Sequence, residues 1–243
     1  MKKELTTDLF GLAFRDFLDG DKEHIIDVRT KLAGFTEQEE LPVSYFFRAI
    51  DEMPEWERLA LDACRGSVLD AGAGAGAHAL ELQKRGHQVY AIDISHGAVE
   101  VMKKRGVKQA ECVSLFDLTG KKFDTLLFLM NGIGMAANLH GLKKLFTHTR
   151  ELLTPGGSII LESTDIMYMY REEDGSVLLP MGDKYYGEVE YRLSYKHYSS
   201  KPFPWLFADM DNLCGVADDC GFIPEILYRG ESGNYLAMIT LPV

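Results

Sequence analysis

Residues 68–80 read VLDAGAGAGAHAL, with glycines at every second position: Gly72, Gly74 and Gly76. Glycine reaches backbone conformations closed to other residues and carries no Cβ, so such a loop turns tightly and lets a ligand come close to the main chain. An apolar run precedes the glycines and a helical pattern follows, which puts the loop at the exit of a strand. In an open α/β sheet, that edge is where ligands bind. Two ligand classes compete for it. Gly72, Gly74 and Ala77 satisfy the loose dinucleotide fingerprint G-x-G-x-x-G/A. Asp70 points the other way: a carboxylate there would repel a pyrophosphate, but it could accept from the cationic end of an amino-acid moiety.

The next apolar run, VYAIDIS, ends at Asp93. A carboxylate at that position can accept from both hydroxyls of a ribose, so Asp93 supports a nucleoside without choosing between the two ligand classes. Three further segments follow in order: SLFDL (114–118), FDTLLFLMNGIGM (123–135) and ELLTPGGSIILES (151–163).

This ordered series resembles the motifs of class I S-adenosylmethionine-dependent methyltransferases, beginning with Asp70-x-Gly72-x-Gly74-x-Gly76. The resemblance is firm over residues 68–163, looser beyond them and poor over 1–63. It implies S-adenosylmethionine as cofactor. Asp70, Gly72, Gly74, Gly76 and His78 would lie along the loop, Asp93 and Ile94 at the ribose, and Leu115, Phe116 and Asp117 around the adenine. Met130, Asn131 and Gly132 would sit beside the reacting methyl. Asn131-Gly132-Ile133-Gly134 lacks the prolines and the aromatic ring of amino-directed DNA and protein enzymes. No acidic cluster like that of the metal-dependent catechol enzymes is evident, so no metal is expected. A small-molecule acceptor is the class that remains. The alternatives are an NAD(P)-dependent oxidoreductase and a non-catalytic nucleoside-binding protein.

Methyl transfer asks chiefly for alignment of nucleophile, methyl and sulfur. A general base is needed only where the nucleophile must lose a proton early. His140 and Asp165 are the candidates, and neither is assigned. Tyr45, Phe46, Phe47 and Arg48 form an aromatic and basic cluster ahead of the loop, and Arg48 could clamp a carboxylate. Tyr168, Tyr170, Phe203 and Trp205 would supply aromatic walls for a flat or cationic acceptor.

The elements that must position these residues follow from pattern. Residues 1–65 read as a helical cap, with helices over 5–18, through EHIIDVRTKLAGF, through VSYFFRAIDEM and through EWERLALDAC. Residues 66–243 read as a Rossmann-like domain. Alternating strands and helices predict a doubly wound α/β fold with a mostly parallel seven-stranded sheet, closed by a C-terminal antiparallel strand. Residues 166–205 are too long for a plain connection and predict a β insertion before the last helix. The chain of 243 residues has a formal net charge of -11, which disfavours nucleic acid and anionic membranes as partners. Four cysteines without a C-x-x-C pair, and no apolar span long enough for a bilayer, suit a cytoplasmic protein, monomeric or homodimeric.

Overall fold

The computed structural model describes residues 8–21, 24–32, 34–172, 174–179 and 184–242, with the backbone of residues 3 and 4. Ahead of the glycine loop lie β1 (Lys3–Glu4), α1 (Leu9–Leu18), β2 (Ile25–Lys31), β3 (Thr36–Pro42) and α2 (Glu55–Ala63). The alternating core follows: β4 (Ser67–Ala71), α3 (Ala77–Lys84), β5 (Gln88–Asp93), α4 (His96–Arg105), β6 (Ala110–Cys112), β7 (Phe123–Phe128), α5 (Leu139–Leu152) and β8 (Leu153–Thr164). Then come β9 (Glu188–Tyr195), β10 (Tyr198–Ser199), β11 (Phe203–Leu206), α6 (Met210–Asp219), β12 (Ile223–Arg229) and β13 (Asn234–Thr240).

The main sheet has seven strands in the order β12-β13-β8-β7-β4-β5-β6. The strands from β8 to β6 are parallel, and β13 runs antiparallel to both β8 and β12. One face packs Leu126, Phe128, Ile159 and Leu161 against Leu142, Phe146 and Leu213 of α5 and α6. The other packs Val68, Leu127 and Ile160 against Leu61, Ala79, Leu82 and Met102 of α2, α3 and α4. Both faces being covered explains why β7 is buried along nearly its whole length rather than alternating.

The N-terminal region departs from the expected run of helices. Helices α1 and α2 form, although Leu5 lies outside the described residues. The stretch expected as a second helix is instead a β-hairpin, β2 with β3. Ile26, Val28 and Thr30 face inward while Ile25, Asp27, Arg29 and Lys31 face outward, a period of two carried by β-branched residues that lose side-chain freedom in helices. The expected third helix is two short 3-10 turns, Val43–Phe47 and Ile50–Glu52, interrupted by the extended backbone of Arg48. Phe46 and Phe47 bind these turns to α1, with ring centroids 4.9 Å from Phe14 and 4.4 Å from Phe17.

The β insertion joins this hairpin. Strands β1-β10-β9-β2-β3 form a second sheet, with β11 also paired to β9. Its inner face, through Ile26, Val28, Leu193 and Tyr195, packs on α1. Helix α1 is in turn fixed to α4. The Asp8 carboxylate caps α1 by accepting from Gly11 N–H at 2.8 Å, and it accepts from Gly97 N–H in the first turn of α4 at 2.8 Å. Glycine at both crossing positions lets the backbones touch: a Cβ on Gly97 would stand 2.5 Å from the Gly11 Cα.

Gly97→Ala should therefore cost about 1–3 kcal/mol by forcing the helices apart, read as a lower urea midpoint. Gly215→Ala in α6, where a Cβ meets nothing within 4 Å, should add about 0.5–1 kcal/mol of stability, read as a higher midpoint in the same assay.

Candidate functional site

The glycine loop leaves β4 at the carboxyl edge of the main sheet. Gly72, Gly74 and Gly76 have φ of 74°, 55° and 82°, so all three need the left-handed region. Gly72 and Ala73 donate to the Ile92 carbonyl at 2.9 and 3.0 Å, which ties the loop to β5. Asp93 adds a second tie, accepting from Gly74 N–H at 2.9 Å and from Ser95 N–H at 2.8 Å. Ser95, not Asp93, caps α4, accepting from Ala98 N–H. Phe46 covers the outer side, 3.5 Å from where a Cβ on Gly74 would stand, while Met135 approaches Gly72 at the same distance.

Beneath the loop lies a buried polar group of side chains. Glu57 of α2 accepts from Arg48 Nη2 at 2.9 and 3.0 Å and shares a 2.9 Å hydrogen bond with His78 Nε2. Arg48 Nε donates to the Tyr45 carbonyl at 2.7 Å, and its guanidinium lies 3.4 Å over the Tyr45 ring. Burial would raise the Glu57 carboxyl, but His78 and Arg48 outweigh it and hold it below its ordinary value. Burial would lower His78, but the hydrogen bond to Glu57 and the charge of Asp70 hold it above 6.5. Burial pushes Asp70 up to about 6, opposed by His78 and reinforced by Asp93. Its Oδ2 is buried without a hydrogen-bond partner among the described residues.

On the neighbouring strands, Met130 and Asn131 follow β7 with φ of 53° each, a left-handed pair with no glycine. Such residues cost on the order of 1–3 kcal/mol apiece and persist only where their surroundings fix them. Here Met130 N–H donates to Glu162 Oε2 at 2.7 Å. Asn131 Nδ2 donates to the Leu206 carbonyl at 3.0 Å, and Ser163 donates to Asn131 Oδ1 at 2.9 Å. Burial and the charge of Glu57 push the Glu162 carboxyl up to about 7. The 3-10 turn Gly132–Ala136 comes next, and Trp205 of β11 lies against Gly134 so closely that a Cβ there would overlap the indole.

This architecture is shared with known proteins. A methyltransferase domain family matches residues 68–157. A Bacteroides fragilis S-adenosylmethionine-dependent methyltransferase, solved with S-adenosyl-L-homocysteine, is 40% identical, covers 100% of this chain and 98% of its own, and superposes with a TM-score of 0.88. The chain belongs to the S-adenosylmethionine-dependent methyltransferases. A family member from Clostridium acetobutylicum is 13% identical, over 79% of this chain and 94% of its own, with a TM-score of 0.59. The Micromonospora echinaspora amino pentose methyltransferase CalS10 is 17% identical, over 78% and 92%, with a TM-score of 0.55. These last two speak for the fold alone. No curated protein matches the sequence.

S-adenosylmethionine, the methyl donor of the family, is a group the residues fit: the left-handed glycine turn follows directly on the strand that carries Asp70, whose buried Oδ2 has no hydrogen-bond partner among the described residues. The other expected residues distribute unevenly. Ile94, Phe116 and Asp117 are exposed at the edge of β5 and β6. Leu115 is instead a core residue, 3% exposed. His78 starts α3 as expected, but its ring is engaged by Glu57. Tyr170 is buried, and its hydroxyl donates to the Tyr186 carbonyl. Tyr168 is exposed. His140 is exposed on the first turn of α5, while Asp165 accepts from Met167 N–H and the Tyr186 hydroxyl at 2.8 and 2.7 Å. Glu57 and Glu162 went unrecognised. Glu57 shares a helical stripe with Ala60, Leu61 and Cys64, and Glu162 is a single charge inside SIILES; both signals lay in the sequence.

The buried carboxyls make stability depend on pH. Asp70 and Glu162 hold their protons more tightly in the fold than in the open chain, so their contribution is present in mild acid and is lost as pH rises through about 6 and about 7. His78, raised above 6.5, acts in the same sense, full below 6.5 and lost above its raised value. Glu57 acts oppositely, losing its contribution as pH falls below 4.5. The Tm of the ligand-free protein should thus fall as pH rises from about 4.5 to about 7. Glu162→Gln should flatten that slope in differential scanning calorimetry.

Proposed function

We propose that this methyltransferase moves a methyl group from S-adenosylmethionine to a small-molecule acceptor. The observation that carries the reading is the cradle formed by Gly72, Gly74, Asp70 and Asp93 on one sheet edge. Asp70 would receive the donor's ammonium on its orphaned oxygen. Asp93, already pinning Gly74, would take the ribose hydroxyls on its remaining lone pairs. Arg48 Nη1 has no partner among the described residues, so it is free to take the donor's carboxylate while Glu57 and Tyr45 hold the rest of the guanidinium still. The donor supplies an electrophilic methyl on a sulfonium.

The chain's own task is alignment, which can contribute roughly 7–11 kcal/mol to a bimolecular reaction. The strained turn at Met130 and Asn131 faces this task, because its backbone direction is fixed by Glu162, Ser163 and the Leu206 carbonyl rather than left to a flexible glycine. Asp165 is occupied with the Tyr186 hydroxyl and a turn, so it supports shape before proton transfer. The acidic balance, -11 overall, favours a small acceptor over nucleic acid. An oxidoreductase would have to place a pyrophosphate beside Asp70. No helix among the described residues is long and apolar enough to cross a membrane.

Calorimetry should show S-adenosylmethionine and S-adenosylhomocysteine binding. Asp93→Ala should raise both dissociation constants about tenfold or more, since it removes a charged acceptor and frees the Gly74 amide together. Tight binding of NADH with no response to either sulfur ligand would overturn the proposal.

A further inference from the structure

The second sheet presents its inner face toward the methyl-transfer edge, and that face has an unusual composition. In β9 and β11, Tyr191, Phe203 and Trp205 share it, since Tyr191 pairs with Phe203 and Val189 with Trp205. The Tyr191 and Trp205 rings stack with centroids 5.7 Å apart and planes 12° from parallel, and Phe203 meets both edge-on at 6.0 and 6.1 Å. All three are half-buried, and Trp205 rests on Gly134, two residues beyond Gly132.

The same register carries two carboxylates onto this face. Tyr191 pairs with Thr30 and Thr30 with Glu37; Leu193 pairs with Val28 and Val28 with Glu39. Directly paired residues of antiparallel strands point to the same side, so Glu37 and Glu39 extend the aromatic face at its β3 margin. Both are exposed, and neither has an ion-pair partner among the described residues. The cations of the hairpin, Arg29 and Lys31, stand on the opposite face. Glu39 is close enough to add to the burial that keeps the Tyr191 and Tyr168 phenols protonated. Inward positions of a half-covered strand normally carry apolar side chains. Here they carry negative charge on the same face as the stacked rings, two strands from Tyr191, and both features attract cations.

We infer that the acceptor is an amine borne on a flat or ring-shaped small molecule, drawn in as its ammonium form by Glu37 and Glu39 and held against Tyr191, Phe203 and Trp205. This rests on the methyltransferase reading of the adjoining edge. The ammonium gives one proton to water at the mouth. The nitrogen lone pair then forms the N–C bond while the C–S bond breaks with its electron pair going to sulfur. The sulfonium becomes a neutral thioether, and the positive charge passes to the methylated nitrogen. No side-chain base is required, which accords with His140 being out on the surface of α5 and Asp165 being engaged by Tyr186.

Calorimetry on the protein saturated with S-adenosylhomocysteine tests this with three probes of one shape: benzylamine, benzyl alcohol and benzoate. Benzylamine should bind about tenfold or more tighter than benzyl alcohol, with benzoate weakest. The double variant Glu37→Gln, Glu39→Gln should cut that preference about fivefold and leave the S-adenosylhomocysteine affinity unchanged. Trp205→Leu should weaken benzylamine more than benzyl alcohol. Equal affinity for the three probes, a preference for benzoate, or no probe binding to protein that does bind S-adenosylhomocysteine would overturn the inference alone. Failure to bind S-adenosylhomocysteine would overturn the reading beneath it as well.

Discussion

One carboxylate, Glu57, joins the parts of this enzyme. It is 1% exposed and holds Arg48 on one side and His78 on the other. Arg48 belongs to the segment that carries Tyr45, Phe46 and Phe47, and His78 belongs to the helix that follows the glycine loop. Without the carboxylate, an arginine and a histidine would be left buried without their acceptor, a far larger loss than the net worth of the pair itself. The seat of Phe46 over Gly74, and with it the shape of the donor cleft, depends on this contact.

Around it, the carboxyl edge of the main sheet gathers ionisable groups that water would keep apart. Asp70, Glu162, Glu57 and His78 come from two strands and two helices, and burial sets them against one another. Burial raises two of the carboxyls, Asp70 to about 6 and Glu162 to about 7, while Glu57 stays ionised, so the edge exchanges protons close to neutrality. A cationic ligand at Asp70 changes that balance directly.

The parallel core and its glycine loop were legible because their signals are local. Glycine spacing, a carboxylate before the loop and another at the end of the next strand each arise within a few residues, and the strand-helix alternation orders them. The hairpin at residues 25–42 was misread because its apolar residues fit either period over a short window. Only its pairing with β9, more than a hundred residues away, decides the matter. The burial of Tyr170 and Leu115 was not legible for the same reason: it depends on segments the local pattern does not include. Glu57 and Glu162 were readable as charges on apolar stripes, but a lone charge says nothing of its partner until the fold supplies one.

The second sheet draws strands from both ends of the chain, β2 and β3 from before the parallel core and β9 and β11 from after it. During synthesis the five parallel strands are complete once Thr164 has emerged, whereas the hairpin must wait for residues beyond 188 before it finds its partner. Long-range pairing of this kind is slow and leaves an unpaired edge exposed in the interval. The ribosome thus delivers the parallel core with its glycine loop first and the second sheet afterwards, with Glu37, Glu39 and Glu40 on β3 serving meanwhile as charges that deter edge-to-edge association.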